Sequence, residues 1–336
     1  MPTISEVAQK AGVSPTTVSH VINKTRFVSD EKRERVEQVI TEMNYRPNAL
    51  AQSLRNGTTR SLGLILPDSA NPFFAEVARS IENAAFGVGY SVILCNTEND
   101  LQKATLYLDV LSKKQVDGVI FVMTGEGSNS LKNLVEMQIP TVIMDRDLLG
   151  SELDFVLADS HQGGFMATQH LISLGHKRIG CIAGPAIINQ SSRRFAGYKQ
   201  ALQDAGLRIE PALIMNGNFH PDSGWELGRE MLSLPNAPTA IFACNDLMAI
   251  GVLRAATELG LRIPDDLALV GYDDIELSSY TNPPLTTIKQ PTAEMGLTAL
   301  KFLLGRITEP QSVRQNAVLP VSLVVRGSCG AKIKRN

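Results

Sequence analysis

The chain of 336 residues is poor in the features that mark secreted, membrane-bound or covalently catalytic proteins. It has four cysteines, Cys95, Cys181, Cys244 and Cys329, far apart and without a CxxC. They read as free thiols of a reducing compartment, not as a disulfide framework or a thiolate metal site. No run approaches the roughly 18 apolar residues of a membrane span. The opening Met1-Pro2-Thr3-Ile4-Ser5-Glu6 lacks the basic start and apolar stretch of a signal peptide. The expected location is therefore cytoplasmic, with no membrane contact. Enzyme signatures are also missing. No G-x-G-x-x-G follows the first apolar strand, where Gly87-Val88-Gly89 instead ends a helix, and there is no P-loop, HExxH or G-x-S-x-G. His176 follows Gly175 after a helix and reads as structural, while His161, His170 and His220 have no partner at ligand spacing. No catalytic residue, cofactor or metal is expected.

What the chain does contain is unevenly distributed. Net charge is −2, yet residues 1–60 carry nine Lys/Arg against six Asp/Glu, which leaves the remainder at −5. A basic head on an acidic body points modestly toward nucleic acid, although a solvated helical face gives the same balance. In the head, Thr3 and Glu6 have capping-box spacing, and Ile4, Val7, Ala8 and Ala11 recur at helical intervals. Gly12-Val13 breaks that pattern. Ser14 can cap a second helix with Pro15 at its first position and Val18, Val21 and Ile22 as its apolar stripe. Ser29 or Asp30 starts a third, with Val36, Val39, Ile40 and Met43. Three short helices with a tight turn between the first two match a helix-turn-helix over residues 1–46. The second helix exposes Thr16, Thr17 and His20, small or hydrogen-bonding groups of the kind that read base edges. A generic three-helix fold has the same apolar pattern. Next, Asn48–Arg55 reads as a two-turn helix between an Asn48 cap and a Gly57 stop, too short to be stable alone. Residues 47–59 are read as a hinge.

From Arg60 onward, apolar runs (Ser61–Leu66, Ser91–Cys95, Gly118–Met123, Thr141–Met144, Arg178–Ala183, Ala240–Ala243, Leu267–Gly271) alternate with helical stretches such as Phe74–Gly87, Gln162–Leu174 and Arg194–Ala205. That alternation predicts an α/β body of two doubly wound lobes, the first about 60–160 and 291–319, the second about 161–290 and 320–336. Ligands sit at the carboxyl ends of such strands, so a cleft between the lobes is expected. Those ends carry Asn71-Pro72-Phe73-Phe74, Asp145-Arg146, Arg194, Phe219, Asn245-Asp246, Tyr272-Asp273-Asp274 and Lys289-Gln290. Aromatics there can stack on the C–H face of a sugar, and Asp, Asn, Arg and Gln can satisfy its hydroxyls. Taken singly, each has a plainer reading as a core residue, a cap or a solvated pair.

The head and hinge, with Thr3-Ile4-x-Glu6-Val7-Ala8-x-x-Ala11-Gly12-Val13-Ser14-x-x-Thr17-Val18-Ser19-x-Val21-x-Asn23 and Asn44-Tyr45-x-Pro47-Asn48-Ala49-x-Ala51-x-Ser53-Leu54, resemble the LacI/GalR repressor family. The body adds Asn71-Pro72-Phe73-Phe74, Val116-Asp117-Gly118, Gly271-Tyr272-Asp273-Asp274 and Pro284-Leu285-Thr286-Thr287-Ile288-x-Gln290-Pro291, similar to the family's effector domain and to periplasmic sugar-binding proteins. The resemblance implies a homodimer on a palindromic double-stranded operator. Thr16, Thr17, His20 and Arg26 would read bases, and Leu54, with Arg55 beside it, would wedge into the minor groove. It also implies a small-molecule effector held by Asn71, Phe73, Phe74, Asp145, Arg146, Arg194, Phe219, Asn245, Asp273 and Gln290. The Asn245-Asp246 pair and the Asn71-Pro72 pattern favour ribose over a purine, with another pentose or a hexose such as fructose open. Whether the effector releases or tightens operator binding is open too. A sugar carrier would share the body but not the basic head. A sugar-active enzyme would need an acid/base pair, and Asp145 and Asp273 have no nucleophile or metal motif to support them.

Overall fold

The structure, a computed structural model, describes residues 2–46, 57–123, 138–145, 153–186 and 188–331. Arg146, Leu54, Arg55 and the expected hinge helix Asn48–Arg55 lie outside the described residues. The chain forms two compact units, residues 1–59 and 60–336. No helix among the described residues is long and apolar enough to cross a membrane.

The first unit is a three-helix head. Helix α1 (Ile4–Ala11) begins at the capping box, with Glu6 N–H donating to Thr3 Oγ1 and Thr3 N–H to Glu6 Oε2. It ends at Gly12, whose φ of 64° is the left-handed C-cap that glycine adopts without strain. Helix α2 (Pro15–Asn23) starts one turn later, its Ser14 Oγ accepting from Thr17 N–H at 3.1 Å. Helix α3 (Asp30–Glu42) follows Ser29, which makes no side-chain cap hydrogen bond. Val7, Ala8, Ala11, Val18, Val21, Val28, Val36 and Val39 close a small buried core. The i, i+3/i+4 stripes of three helices meet there, so α2 keeps its opposite face for solvent.

The second unit contains two six-stranded sheets. The first, entirely parallel, joins β1 (Ser61–Leu66), β2 (Ser91–Asn96), β3 (Gly118–Val122), β4 (Thr141–Met144), β5 (Asp154–Ala158) and β11 (Asn316–Leu319) in the order β11-β5-β4-β3-β1-β2. The second joins β6 (Ile179–Ala183), β7 (Ile214–Asn216), β8 (Ala240–Ala243), β9 (Ala268–Asp273), β10 (Thr286–Lys289) and β12 (Ser322–Val324) in the order β12-β10-β9-β8-β6-β7, antiparallel only at β12. Central strands such as β3, β4, β6 and β8 are buried along their whole length, as both faces of a doubly wound sheet require.

Helices α4 (Pro72–Gly87), α5 (Leu101–Lys113) and α10 (Thr292–Thr308) pack on the first sheet, and α6 (Ser160–Ser173), α7 (Asn189–Asp204), α8 (Pro221–Leu232) and α9 (Asp246–Glu258) on the second. The chain therefore passes between lobes three times, at Asp159, at Gln290–Pro291 and at Pro320. Five strands lie outside the apolar runs of the sequence. Strand β5 opens on Asp154, a buried carboxylate ion-paired with Arg306, and β10 opens on Thr286 and Thr287, both fully buried by internal hydrogen bonds. Strands β7, β11 and β12 are three- or four-residue edge strands.

Candidate functional site

Between the lobes, the loops at the carboxyl ends of the strands line a partly open cavity. Its wall brings together Asn71, Phe73, Phe74, Asp145, Arg194, Phe219, Asn245 and Asp273, residues separated in sequence by up to two hundred positions. Gln190 joins them, with Asp68, Asn99, Asn218 and His220.

The first lobe contributes the start of α4 and the end of β4. Asn71 caps α4, its Oδ1 accepting from Phe73 N–H at 3.0 Å, so its amide nitrogen is the group free to serve a ligand. Phe73 and Phe74 follow on the first turn, edge to face at 5.1 Å, and are nearly buried. Asp145 directly follows β4, with φ at 62°, a backbone that aspartate tolerates better than most residues. It is buried, and its Oδ1 has no hydrogen-bond partner. Burial pushes its carboxyl up to about 7, against the opposing pull of Arg194, and the nearby Asp273 raises it further.

The second lobe supplies the charged floor. Arg194 sits in the second turn of α7, which begins at Asn189, five residues before the start read from the sequence. The polar run Asn189-Gln190-Ser191-Ser192 hid that start, because Ile188 gives no side-chain cap and the apolar stripe begins later. The guanidinium lies 3.8 Å from the Tyr272 ring centroid, donates to Cys244 O at 2.6 Å and stands 3.4 Å from Asp273 Oδ1. Its Nε has no partner. Asp273 is held at φ 115°, and burial raises its carboxyl to about 6, opposed by Arg194 and by the hydrogen bond from Gln290. Phe219, at φ 70°, presses its ring on Gly184, where any Cβ would collide with it.

Three sequence expectations change in detail. Gln290 does not line the cavity; its Nε2 donates to Asp273 Oδ1 at 2.8 Å, so it stands behind the carboxylate and orients it. Asn245 lines the cavity, but its Oδ1 caps α9 through Met248 N–H at 2.9 Å and its Nδ2 donates to Phe219 O at 2.9 Å. Its first duty is to shape the wall, leaving one amide hydrogen for a ligand. Asp246, paired with it in sequence, is not part of the wall. The residue that sequence reasoning missed is Gln190. It is 2% exposed, and both its amide atoms lack partners. It precedes Arg194 by four residues, one helical turn, so an earlier α7 start would have placed both on the same face.

On the head, Thr16 and Arg26 are exposed, and Thr17 and His20 are half-buried. A surface groove is lined by Ile4, Pro15, Thr16, Ser19, His20, Asn23 and Thr25. The His20 ring is oriented by Nδ1 lying 2.8 Å from Thr25 Oγ1, and the Thr17 hydroxyl lies 2.9 Å from that of Ser14.

Comparison with known proteins decides the family. Residues 3–48 match the profile of bacterial regulatory proteins, lacI family, and residues 168–329 that of a periplasmic binding protein-like domain. The HTH-type transcriptional repressor PurR of Pasteurella multocida is 42% identical over 334 residues, covering 99% of this chain and all of the relative. The chain belongs to the LacI family. The ribose operon repressor of Escherichia coli K12 is 43% identical, covering 98% of the chain and all of the relative. Among solved structures, the lac repressor dimer bound to operator and the anti-inducer ONPF superposes with a TM-score of 0.88 at 32% identity, covering 97% of this chain and 98% of that one. A LacI family regulator from Enterococcus faecium with bound ribose matches 80% of this chain and 98% of its own at TM-score 0.73 and 32% identity. The chain is accordingly a LacI-family transcriptional repressor, not an enzyme.

Proposed function

We propose that this repressor binds a palindromic operator as a homodimer and is released from it when a small sugar, ribose, fills the cleft. Thr16, Thr17, His20 and Arg26 read the two major-groove half-sites. Leu54 and Arg55 contact the minor groove between them. The dimer forms along the first lobe, where Phe86 on α4, Leu94 on the edge strand β2 and Leu106 on α5 are 78%, 49% and 65% exposed.

The observation that carries the ribose reading is the set of buried polar atoms without partners on residues that line the cleft: Asp145 Oδ1, Arg194 Nε and both amide atoms of Gln190. An unsatisfied buried polar atom costs roughly 1–3 kcal/mol, so this set favours a ligand dense in donors and acceptors. Asp145 and Asp273 are acceptors when ionised, and vicinal hydroxyls supply the donors that a carboxylate takes in pairs. Arg194 contributes the complementary N–H groups, and Phe73, Phe74 and Phe219 face the ring carbons. Arg146 is proposed as a further ligand contact.

A purine is the second reading, supported by three phenylalanines in the wall and by relatives named PurR. It would turn the protein from an induced into a corepressed one. Calorimetric titration of the full chain with ribose, other pentoses, fructose and purine bases separates the two. Ribose should bind more tightly than any other sugar and should weaken operator binding in a parallel titration. Purine binding with no ribose heat would overturn the ribose reading.

A further inference from the structure

Asp246 follows Asn245 in sequence but faces away from the cleft, and it is completely buried. It is the first residue of α9, and its two oxygens reach two other elements. Oδ1 accepts from the Thr287 hydroxyl of β10 at 2.5 Å, and Oδ2 accepts from Ile275 N–H at 2.9 Å. Space for the carboxylate exists because β9 has Gly271 beneath it; any Cβ there would collide with Asp246 Oδ1. One carboxylate therefore ties α9 and β10 to the turn that follows β9.

That turn has an unusual backbone. Asp273 takes a φ of 115°, a conformation that L side chains rarely adopt, and Asp274 a φ of 59°, the left-handed region that aspartate tolerates. The fixed shape has two consequences. Asp273 points into the cleft, where Arg194 and Gln290 hold it. Two residues on, Ile275 is 1% exposed within the first lobe's core, among Phe73, Phe74 and Val77, and Leu247 and Ile250 of α9 pack against that same core. The backbone N–H of the next residue, Glu276, lies toward the Glu76 carboxyl on α4 and counters the upward push that burial gives it. The same four residues thus carry a cleft carboxylate and a contact between the lobes.

We propose that Asp246 is a positioning residue that locks the Asp273–Glu276 turn, so that effector capture at Asp273 and seating of Ile275 in the first lobe occur as one event. The part concerning Asp273 rests on the sugar-binding reading above; the part concerning Ile275 does not. An alanine at 246 removes both acceptor oxygens, so neither the Thr287 hydroxyl nor the Ile275 N–H keeps its partner there. A valine at 287 deletes one of the two bonds, while a serine retains it.

The test compares full-length Asp246→Ala, Thr287→Val and Thr287→Ser with the parent. Residue-resolved amide exchange is measured without ligand, and ribose affinity and radius of gyration are measured with and without ribose. The expected result for Asp246→Ala is exchange at least tenfold faster at Ile275 and Glu276, with the interior amides of β6 and β8 unchanged. Ribose should bind at least tenfold more weakly, and the compaction it induces should be lost. Thr287→Val should move the same readouts partway, and Thr287→Ser should restore them. Exchange at Ile275 that matches the parent, or an equal acceleration across the whole second lobe, overturns the proposal. If Asp246→Ala does not fold, the valine and serine variants at 287 decide by the same criteria. A parent protein that binds no ribose overturns the sugar reading, while the exchange arm still decides the role of Asp246.

Discussion

Asp145 and Asp273 set a pH dependence whose sign follows from their surroundings. Burial lifts both carboxyls above the ordinary 3.8, to about 7 and about 6. A folded protein that holds protons the unfolded chain has released is stabilised by them below pH 4, and that contribution is lost as pH rises through 6 to 7. Effector binding runs in the opposite direction. A sugar hydroxyl donates to the ionised carboxylate, so capture favours deprotonation, and ribose affinity should rise as pH goes from 5.5 to 7.5. The limit is about tenfold per pH unit for each carboxylate still protonated. Calorimetry in two buffers of different ionisation enthalpy should register proton release at pH 6; a pH-independent affinity would show that neither group accepts from the ligand. At this scale the sequence named most of the wall, because charged and aromatic residues recur directly after several apolar strands, a collection that points to a site although each residue alone also reads as core, cap or solvated pair. It did not distinguish the reader from its support. Gln290 and Asn245 belong to the same chemical class as Gln190, and only their partners, Asp273 in one case and Phe219 O and Met248 N–H in the other, separate their roles.

Elements whose ends are signposted in sequence were legible, and those anchored by tertiary contacts were not. Helices α1 and α2 begin where Thr3 and Ser14 can cap them, and both caps form. Strand β5 has no such signal. It begins with an acid that a local reading assigns to a loop, and what makes it a strand is Arg306, arriving from α10 more than 150 residues later. Arg306 Nε and Nη2 donate to the two Asp154 oxygens at 3.0 and 2.8 Å, and Gln315 N–H donates to Asp154 Oδ1 at 2.7 Å just before β11. This pair joins α10, β5 and the approach to β11, so it fixes the segment that returns from the second lobe to the first. Asp154 is 1% exposed, and removing one member of a buried pair strands the other charge. Asp154→Ala should therefore cost about 3 kcal/mol, at the low end of what broken buried pairs lose because Arg306 retains some water. Urea unfolding of the full chain measures it. A change within about 0.5 kcal/mol, the range of ordinary surface substitutions, would mean that α10 docks through its apolar face alone.

The whole molecule works only if the cleft and the head influence each other, and the link proposed for that is the segment Asn48–Arg55. Two helical turns are too few to be stable alone in water, so that segment should gain order only when DNA and a partner copy both contact it. A helix of that kind reports on distant events because its own stability is near zero. Among the described residues, only three chain passages, at Asp159, Gln290–Pro291 and Pro320, join the lobes, and none interrupts a sheet, so the proposed mechanism places lobe rotation there. The Asp273–Glu276 turn joins that rotation to occupancy of the cleft. Coupling of this type is usually about 1–3 kcal/mol, or roughly 5–150-fold in affinity, and it is reciprocal by thermodynamic necessity. If ribose weakens operator binding by a given factor, saturating operator must weaken ribose binding by the same factor. Titrating ribose into the free protein and into its operator complex measures both sides of the cycle. Leu54 is a proposed minor-groove contact, so Leu54→Ala should weaken operator binding at least tenfold and leave ribose affinity in the free protein unchanged. The operator that this variant still binds at higher concentration should then depress ribose affinity less than it does in the parent, since the wedge that makes hinge order depend on lobe position has been removed. Equal depression in both proteins would mean that the two sites communicate by a route that bypasses Leu54.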